Sequence, residues 1–284
     1  MKFQYKFKKG KKGICPNCGK RTLTLYVDEA TSKTMPDKYG KCERVNSCGY
    51  WHKPQFEDKT FFVSPLTIPK KPSYIDSGIV DLTLGHEQSN VLYKWLCSAS
   101  KVAPGLIRNT FYNYNVGTAK DCGVIFWQKD YSDRYRTGKL MYYLPDGHRN
   151  KNKFGNWIHS LIKSPDFNLK QTLFGMHLLA NLPDGSEIAI VESEKTALIL
   201  NIFKGITALA TGGASNFGLI EQNKNILNNF NCNVLPDIGF QDVWEKKITE
   251  LGCENIKIFK WWEEMGIDLN ASENSGKDIA DFLI

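Results

Sequence analysis

Residues 187–200 read EIAIVESEKTALIL. Ile188 to Val191 are a short apolar run with the composition of a buried strand, and the chain passes from it straight into Glu192. From Ser193 onward the pattern becomes that of a helix, with apolar Ala197, Leu198 and Leu200. A strand that delivers a carboxylate at its carboxyl end and turns at once into a Ser-opened helix is a βα unit of an open parallel sheet, and such sheets bind ligands along that edge. Taken alone, Glu192 reads as either a working residue or a surface glutamate at a βα turn, so its neighbours decide.

Working outward, Ile206 to Gly213 (ITALATGG) is a second strand-to-loop unit. Its paired glycines let backbone approach a phosphate or a neighbouring loop. Cys232 to Asp237 (CNVLPD) is a third, ending again in a carboxylate, and Val243 to Leu251 follows as a helix. Two strand-end carboxylates on adjacent parallel strands can share one hard cation such as Mg²⁺, which takes oxygen ligands and keeps several waters. Near the end of the chain, KDIADFL (Lys277 to Leu283) opens a short amphipathic helix. Asp278 heads it, either as its N-cap or as a further metal ligand.

In this order, strand-Glu-x-Glu-Lys-Thr-Ala, Thr-Gly-Gly, strand-Pro-Asp and Lys-Asp-Ile-Ala-Asp resemble a Toprim domain, the fold shared by bacterial primases and topoisomerases. The likeness is strongest to the primase-type versions carried by phages, plasmids and other mobile elements. The resemblance implies catalytic Glu192 and Asp237, with Asp278 joining them around Mg²⁺ or Mn²⁺. It also has two departures. Gly239 stands where the second aspartate of Asp-x-Asp is expected, and Ser193 stands where primases usually have glycine. A site short of one carboxylate is weaker, rescued by Asp242 or Asp278, or inactive.

Residues 13–52 carry a separate signal. Cys15 and Cys18 form a two-residue-spaced pair followed by Gly19, and Cys42 and Cys48 close the segment. Four thiolates can close a tetrahedral zinc site; the alternative is that the cysteines are metal-free core residues. The Cys42 to Cys48 spacing is wider than a standard knuckle, which leaves His52 as an alternative ligand to Cys42. Arg21 to Val27 alternates like a hairpin strand, so the expected unit is a zinc β-ribbon. Tyr5, Tyr26, Tyr50 and Trp51 mingle with Arg21, Lys41, Arg44 and Lys53. Aromatics interleaved with cations suit single-stranded nucleic acid, although packing against another domain uses the same residues. Primases carry an N-terminal zinc ribbon that contacts template, and the resemblance therefore implies DNA contacts from Arg44 and Trp51. Cys97, Cys122, Cys232 and Cys253 lie in apolar patterns and read as packing, and no disulfides are expected.

The chain of 284 residues, 42% hydrophobic with 12% aromatic, suits an α/β protein of more than one compact part. We expect a zinc β-ribbon over 1–56, a linker over 57–84, a basic α+β primase-like subdomain over 85–183, and a Toprim-like parallel sheet with flanking helices over 184–284. Pro54, Pro65, Pro69 and Pro72 with Lys70 and Lys71 give the linker an extended character, and Phe61-Phe62-Val63 is an apolar patch within it. Asn90 or Ser89 caps a helix bearing Leu92 and Leu96, and Pro104 opens another. Strands are expected over Cys122–Trp127 and Lys139–Leu144, with Tyr131–Gly138 as the loop between them.

Net charge is +7, which is compatible with nucleic acid without demonstrating it. Arg134, Arg136, Lys139, Arg149 and Lys151 concentrate that charge in the middle segment. They read as a solvated face or, by the resemblance, as the basic groove that receives nucleic acid. His159 and His177 sit among apolar residues and read as satisfied histidines. The chain has no Gly-x4-Gly-Lys-Ser/Thr loop, which argues against a fused ATP motor. It has no run of about 18 apolar residues and no apolar stretch behind MKFQYKFKKGKKG, so neither a membrane span nor a secretory signal is expected and the location should be cytoplasmic. The function expected is a primase-like nucleotidyl transferase on single-stranded DNA. Nucleotides and a separate helicase or mobilisation protein are its implied partners. The alternatives are a catalytically degenerate nucleic-acid-binding module and a Toprim nuclease.

Overall fold

The computed structural model describes residues 4–8, 10, 12–29, 31–54, 70–162 and 164–284. The chain divides into two compact units, 1–68 and 69–284.

The first unit is an antiparallel ribbon of β1 (Tyr5–Phe7), β2 (Leu23–Asp28), β3 (Gly40–Cys42) and β4 (Trp51–His52), paired in that order, with α1 (Val45–Cys48) between the last two. Its core is small: Cys15, Leu23 and Cys42 are buried, with Leu25 and Tyr50 packed against them. A cluster of that size cannot stabilise a unit alone, so the metal must take part in holding it.

The second unit contains α2 (Ser77–Asp81), α3 (Val91–Ala99) and α4 (Pro104–Asn113), then an antiparallel sheet of β5 (Val116–Thr118), β6 (Val124–Lys129), β7 (Tyr135–Met141) and β8 (Asn156–Trp157), followed by α5 (Ile158–Ile162). Next come β9 (Glu187–Val191), α6 (Glu194–Lys204), β10 (Ala208–Ala210), α7 (Gly218–Leu227), β11 (Asn231–Val234), α8 (Gln241–Leu251), β12 (Ile256–Ile258) and α9 (Trp261–Glu264). These last strands form a parallel sheet in the order β10-β9-β11-β12. The chain leaves β9 toward β10 and returns across it to β11. The strand order therefore reverses between β9 and β11, and such reversals open a crevice at the carboxyl ends of the strands. Among the described residues, no helix is long and apolar enough to cross a membrane.

Three expectations need correction. Residues 55–69, including the Phe61-Phe62-Val63 patch, lie outside the described residues, but the rest of the expected linker is folded. Ile75 and Val80 are buried with Trp127, Tyr135 and Leu140, and the Ile75 N–H donates to the Tyr135 carbonyl at 2.8 Å. Prolines forbid a helix over 69–72, yet extended backbone still finds partners on a sheet. Second, the expected boundary at 183/184 falls inside one unit. Phe174 and Ala210 exchange backbone hydrogen bonds, and one core holds Leu96, Phe111 and Phe126 together with Val191, Leu198 and Ala208. Third, the loop expected over Tyr131–Gly138 is shorter. Asp130 Oδ1 accepts the N–H groups of Ser132 and Arg134 at 3.0 and 3.1 Å, an Asx-type turn that lets β7 start at Tyr135. The cap expected at Asn90 or Ser89 is Asn90, whose side chain accepts the Tyr93 N–H.

Candidate functional site

Val191 is the last residue of β9, and Glu192 follows it into the crevice with 5% of its surface exposed. Its carbonyl accepts the Gly212 N–H at 2.8 Å, and the Asp237 backbone N–H draws its carboxyl down. Asp237 follows β11 across the strand reversal. Asp278 arrives from far along the chain because the Ile238 N–H donates to the Lys277 carbonyl at 2.9 Å and the Gly276 N–H to the Ile238 carbonyl at 3.1 Å. Asp278 caps the 3₁₀ turn Ile279–Phe282 through the Ala280 N–H, and its other oxygen accepts the Thr196 hydroxyl. It is N-cap and member of the cluster at once.

All three carboxyls are raised, first of all by burial. Burial, then the charges of Glu192, Asp278 and Asp281, push Asp237 up to about 8. Glu192 is raised by burial and by Asp278, and the Asp237 N–H and Lys247 only partly offset this. Asp278 is raised by burial and by Asp281, against the pull of Thr196 and Lys195. Among the described residues Glu192 Oε1 is buried with no hydrogen-bond partner. Buried, raised acids with an unpartnered oxygen fit a divalent cation, which would offset the cost of burying their charge. The sole set of His, Cys, Asp or Glu ligand atoms within 4.8 Å of one another, among the described residues, is the cysteine set. The carboxylates are set wider, as suits a cation that retains waters.

Asp242 is exposed at the start of α8, so of the two candidates to replace a second aspartate, Asp278 is the one that faces the pair. Gly239 itself has φ +100, a conformation that strains any side chain even though no described atom lies within 4 Å of a Cβ built there.

Sequence reading missed Glu194. It is 3% exposed in the first turn of α6 and holds the Lys139 ammonium at 2.9 Å, while the same ammonium donates to the Gly212 carbonyl at 2.9 Å. Lys139, expected to contact nucleic acid, is thus turned inward to brace the Gly212 loop. A carboxylate at a helix N-terminus is favoured by the dipole alone, which hid its tertiary role. Arg134 and Arg136 meet Asp130 Oδ2 at 3.2 and 2.7 Å, whereas Arg149 and Lys151 are exposed. His159 meets the Thr137 hydroxyl at 2.8 Å, and buried His177 meets the Asn113 carbonyl at 2.9 Å.

In the ribbon, Cys15 and Cys48 sulfurs are 3.7 Å apart and those of Cys18 and Cys42 4.0 Å. A tetrahedron with Zn–S bonds of about 2.3 Å has S–S edges of about 3.8 Å, so the four thiolates fit zinc. The wide Cys42 to Cys48 spacing is absorbed by α1. His52 is not needed, and its ring lies 5.1 Å from that of Tyr39. The Thr22 hydroxyl, 3.3 Å from Cys42 Sγ, pulls that thiol down. Arg44 is exposed. Trp51 is 45% exposed, with Lys41 and Lys53 ammoniums 4.2 and 4.6 Å from its ring.

A family model described as Domain of unknown function (DUF6371) matches residues 90–238, and one described as a zinc beta-ribbon finger matches residues 1–61. No curated protein matches the chain. Among solved structures it is similar to the primase fragment of the bacteriophage T7 primase-helicase protein, at 15% identity and TM-score 0.44 over 93% of this chain and 98% of that one. It is similar to the Aquifex aeolicus primase (zinc binding and RNA polymerase domains), at 12% identity and TM-score 0.42 over 92% and 78%. It is also similar to the DnaG primase catalytic domain bound to ssDNA, at 12% identity and TM-score 0.44 over 64% and 67%.

Proposed function

The chain belongs to the family described as Domain of unknown function (DUF6371), and we propose that it is a primase-like nucleotidyl transferase of the Toprim type, acting on single-stranded DNA in the replication or transfer of a mobile element. The observation that carries this reading is three carboxyls, Glu192, Asp237 and Asp278, all raised chiefly by burial and brought to the reversal of a parallel sheet, with Glu192 Oε1 left unpartnered. These are the residues that would hold Mg²⁺ or Mn²⁺. Bound there, the cation would neutralise charge developing on a transferring phosphoryl group.

The chain's own residues do the rest. Glu192 keeps an oxygen free of other partners, and Asp237, raised by burial, would give up its proton on holding a cation. Lys139 and Glu194 hold the Gly212 loop beside the crevice, and that position suits glycine, because a Cβ at Gly212 would lie 3.0 Å from Glu194 Oε1. Exposed Arg149 and Lys151 would follow the strand's phosphates, while Trp51 and Arg44 of the ribbon would stack a base and pair a phosphate. Nucleotides, a separate helicase or mobilisation protein and a cytoplasmic location belong to the same reading.

De novo primer synthesis on single-stranded DNA, with labelled nucleotides and Mg²⁺ or Mn²⁺, tests it. Wild type should give product, and Glu192→Gln and Asp237→Asn should lose it by about 100-fold or more, all three binding DNA alike. Equal binding with no product from any of them would sink the enzyme reading. Gly239 favours a second reading, a degenerate Toprim binding module, which predicts that outcome. A Toprim nuclease would instead shorten end-labelled DNA in the same assay.

A further inference from the structure

The parallel sheet has two edges, and the chain treats them differently. At β10 the outward groups are engaged. Ala208 gives its N–H to the Tyr114 hydroxyl at 2.9 Å and takes that hydroxyl's proton on its carbonyl at 3.0 Å, while Ala210 exchanges both of its bonds with Phe174 at 2.9 and 3.1 Å. At β12 only alternate residues are used. The register sets Cys232 beside Ile256 and Val234 beside Ile258. The Cys232 N–H donates to the Asn255 carbonyl at 2.7 Å, and the Phe259 N–H to the Val234 carbonyl at 2.9 Å. Asn255, Lys257 and Phe259 therefore bond toward β11, and the backbone groups of Ile256 and Ile258 face outward. The Ile256 N–H turns back to the Cys253 carbonyl at 3.4 Å. Among the described residues, the Ile256 carbonyl and both backbone groups of Ile258 have no hydrogen-bond partner.

Space and charge follow the same edge. A groove of about 500 Å³ runs between α8 and β12, lined by Ile248, Thr249 and Gly252 of the helix side and Ile256 to Ile258 of the strand. Ile256 is buried in the core under α8 with Ile258 packed against it, so Lys257 points to the opposite face. Lys257 is exposed and, among the described residues, has no ion-pair partner. Lys260 is held by Glu263 at 3.3 Å, and Glu245 and Glu254 also line the groove. A free edge is a template for another strand. A second copy of this chain fits it poorly. In every antiparallel register that pairs Ile256 or Ile258 with itself or with each other, Lys257 meets its own counterpart directly or diagonally, and like charges so placed repel.

We infer that the β12 edge receives an extended segment of a partner protein as a fifth strand, antiparallel to β12, with a carboxylate opposite Lys257 and apolar side chains opposite Ile256 and Ile258. Antiparallel pairing lets one partner residue exchange both bonds with Ile258. The inference rests on this edge and not on the reaction proposed at the carboxylates.

The test titrates the full, zinc-loaded chain with a fluorescein-labelled peptide, Ser-Thr-Val-Glu-Val-Thr-Ser amide, followed by anisotropy, and with a second peptide in which lysine replaces the glutamate. The lysine peptide should bind about fivefold more weakly. Lys257→Glu should invert that order. Ile258→Pro deletes one outward N–H and spares every bond to β11, as proline on an edge strand does, and it should weaken the glutamate peptide about tenfold. Thermal melts accompany both variants, and if Ile258→Pro is misfolded Lys257→Glu carries the test. If wild type and both variants bind the two peptides alike, or bind neither, the inference is overturned. Sedimentation velocity without peptide should show no self-association. A dimer that Ile258→Pro dissolves would put a second copy on the edge and overturn it as well.

Discussion

In the ribbon, the sulfurs of Cys15, Cys18, Cys42 and Cys48 lie within 4.8 Å of one another beside a core of three buried residues. In residues 69–284, Glu192, Asp237 and Asp278 stand farther apart at the edge of a sheet whose apolar core is extensive without them. One centre lends its binding energy to a fold that cannot stand alone. The other is a set of acids raised mainly by burial, at the edge of a fold whose apolar core is built without them. A cation would therefore complete the structure in the first case and, on the proposed reading, offset the cost of buried charge in the second.

The largest effect expected from this contrast is zinc removal. Apparent binding energies of structural zinc are about 10–16 kcal/mol, so a chelator, or Cys18→Ser, should erase the NMR dispersion of β1–β4 while the melting of residues 69–284 stays put. Ribbon signals that survive without metal would break the comparison.

Next comes pH. Asp237 is raised from an ordinary 3.8 to about 8, so the folded chain keeps a proton that the unfolded chain releases. Stability is then full below about pH 4 for this group and declines as pH rises to about 8. Each unit is worth about 1.4 kcal/mol, so melts with zinc present and no added Mg²⁺ should lose on the order of a few kcal/mol over that window. Mg²⁺ should restore the loss at the alkaline end, and Asp237→Asn should flatten the curve. A flat curve in wild type would show that burial does not raise Asp237.

Smaller still is Gly239→Asp, which restores the missing aspartate. Its φ of +100 should cost about 1–3 kcal/mol, with no gain in primer synthesis, since Asp278 already faces the pair. Increased activity would show that the backbone can rearrange. Last, Thr22→Val removes the hydroxyl beside Cys42 and should weaken zinc about tenfold in a competition titration, leaving the ribbon folded in excess metal.

The sequence by itself determined the βα unit around Glu192, the carboxylate after β11 and the four cysteines, because apolar runs, turn residues and ligand chemistry are local properties. It left open which atoms meet. Asp278 joins Asp237 through the backbone pairing of Ile238 with Gly276 and Lys277, and no spacing rule encodes that. Lys139 finds Glu194 across 55 residues, so a residue that reads as a free cation becomes a brace. Even the choice between Cys42 and His52 fell to the tertiary structure, because a turn of helix over Val45–Cys48 takes up the extra residues. Local chemistry names the candidates, and long-range backbone hydrogen bonds and burial decide which of them share a field.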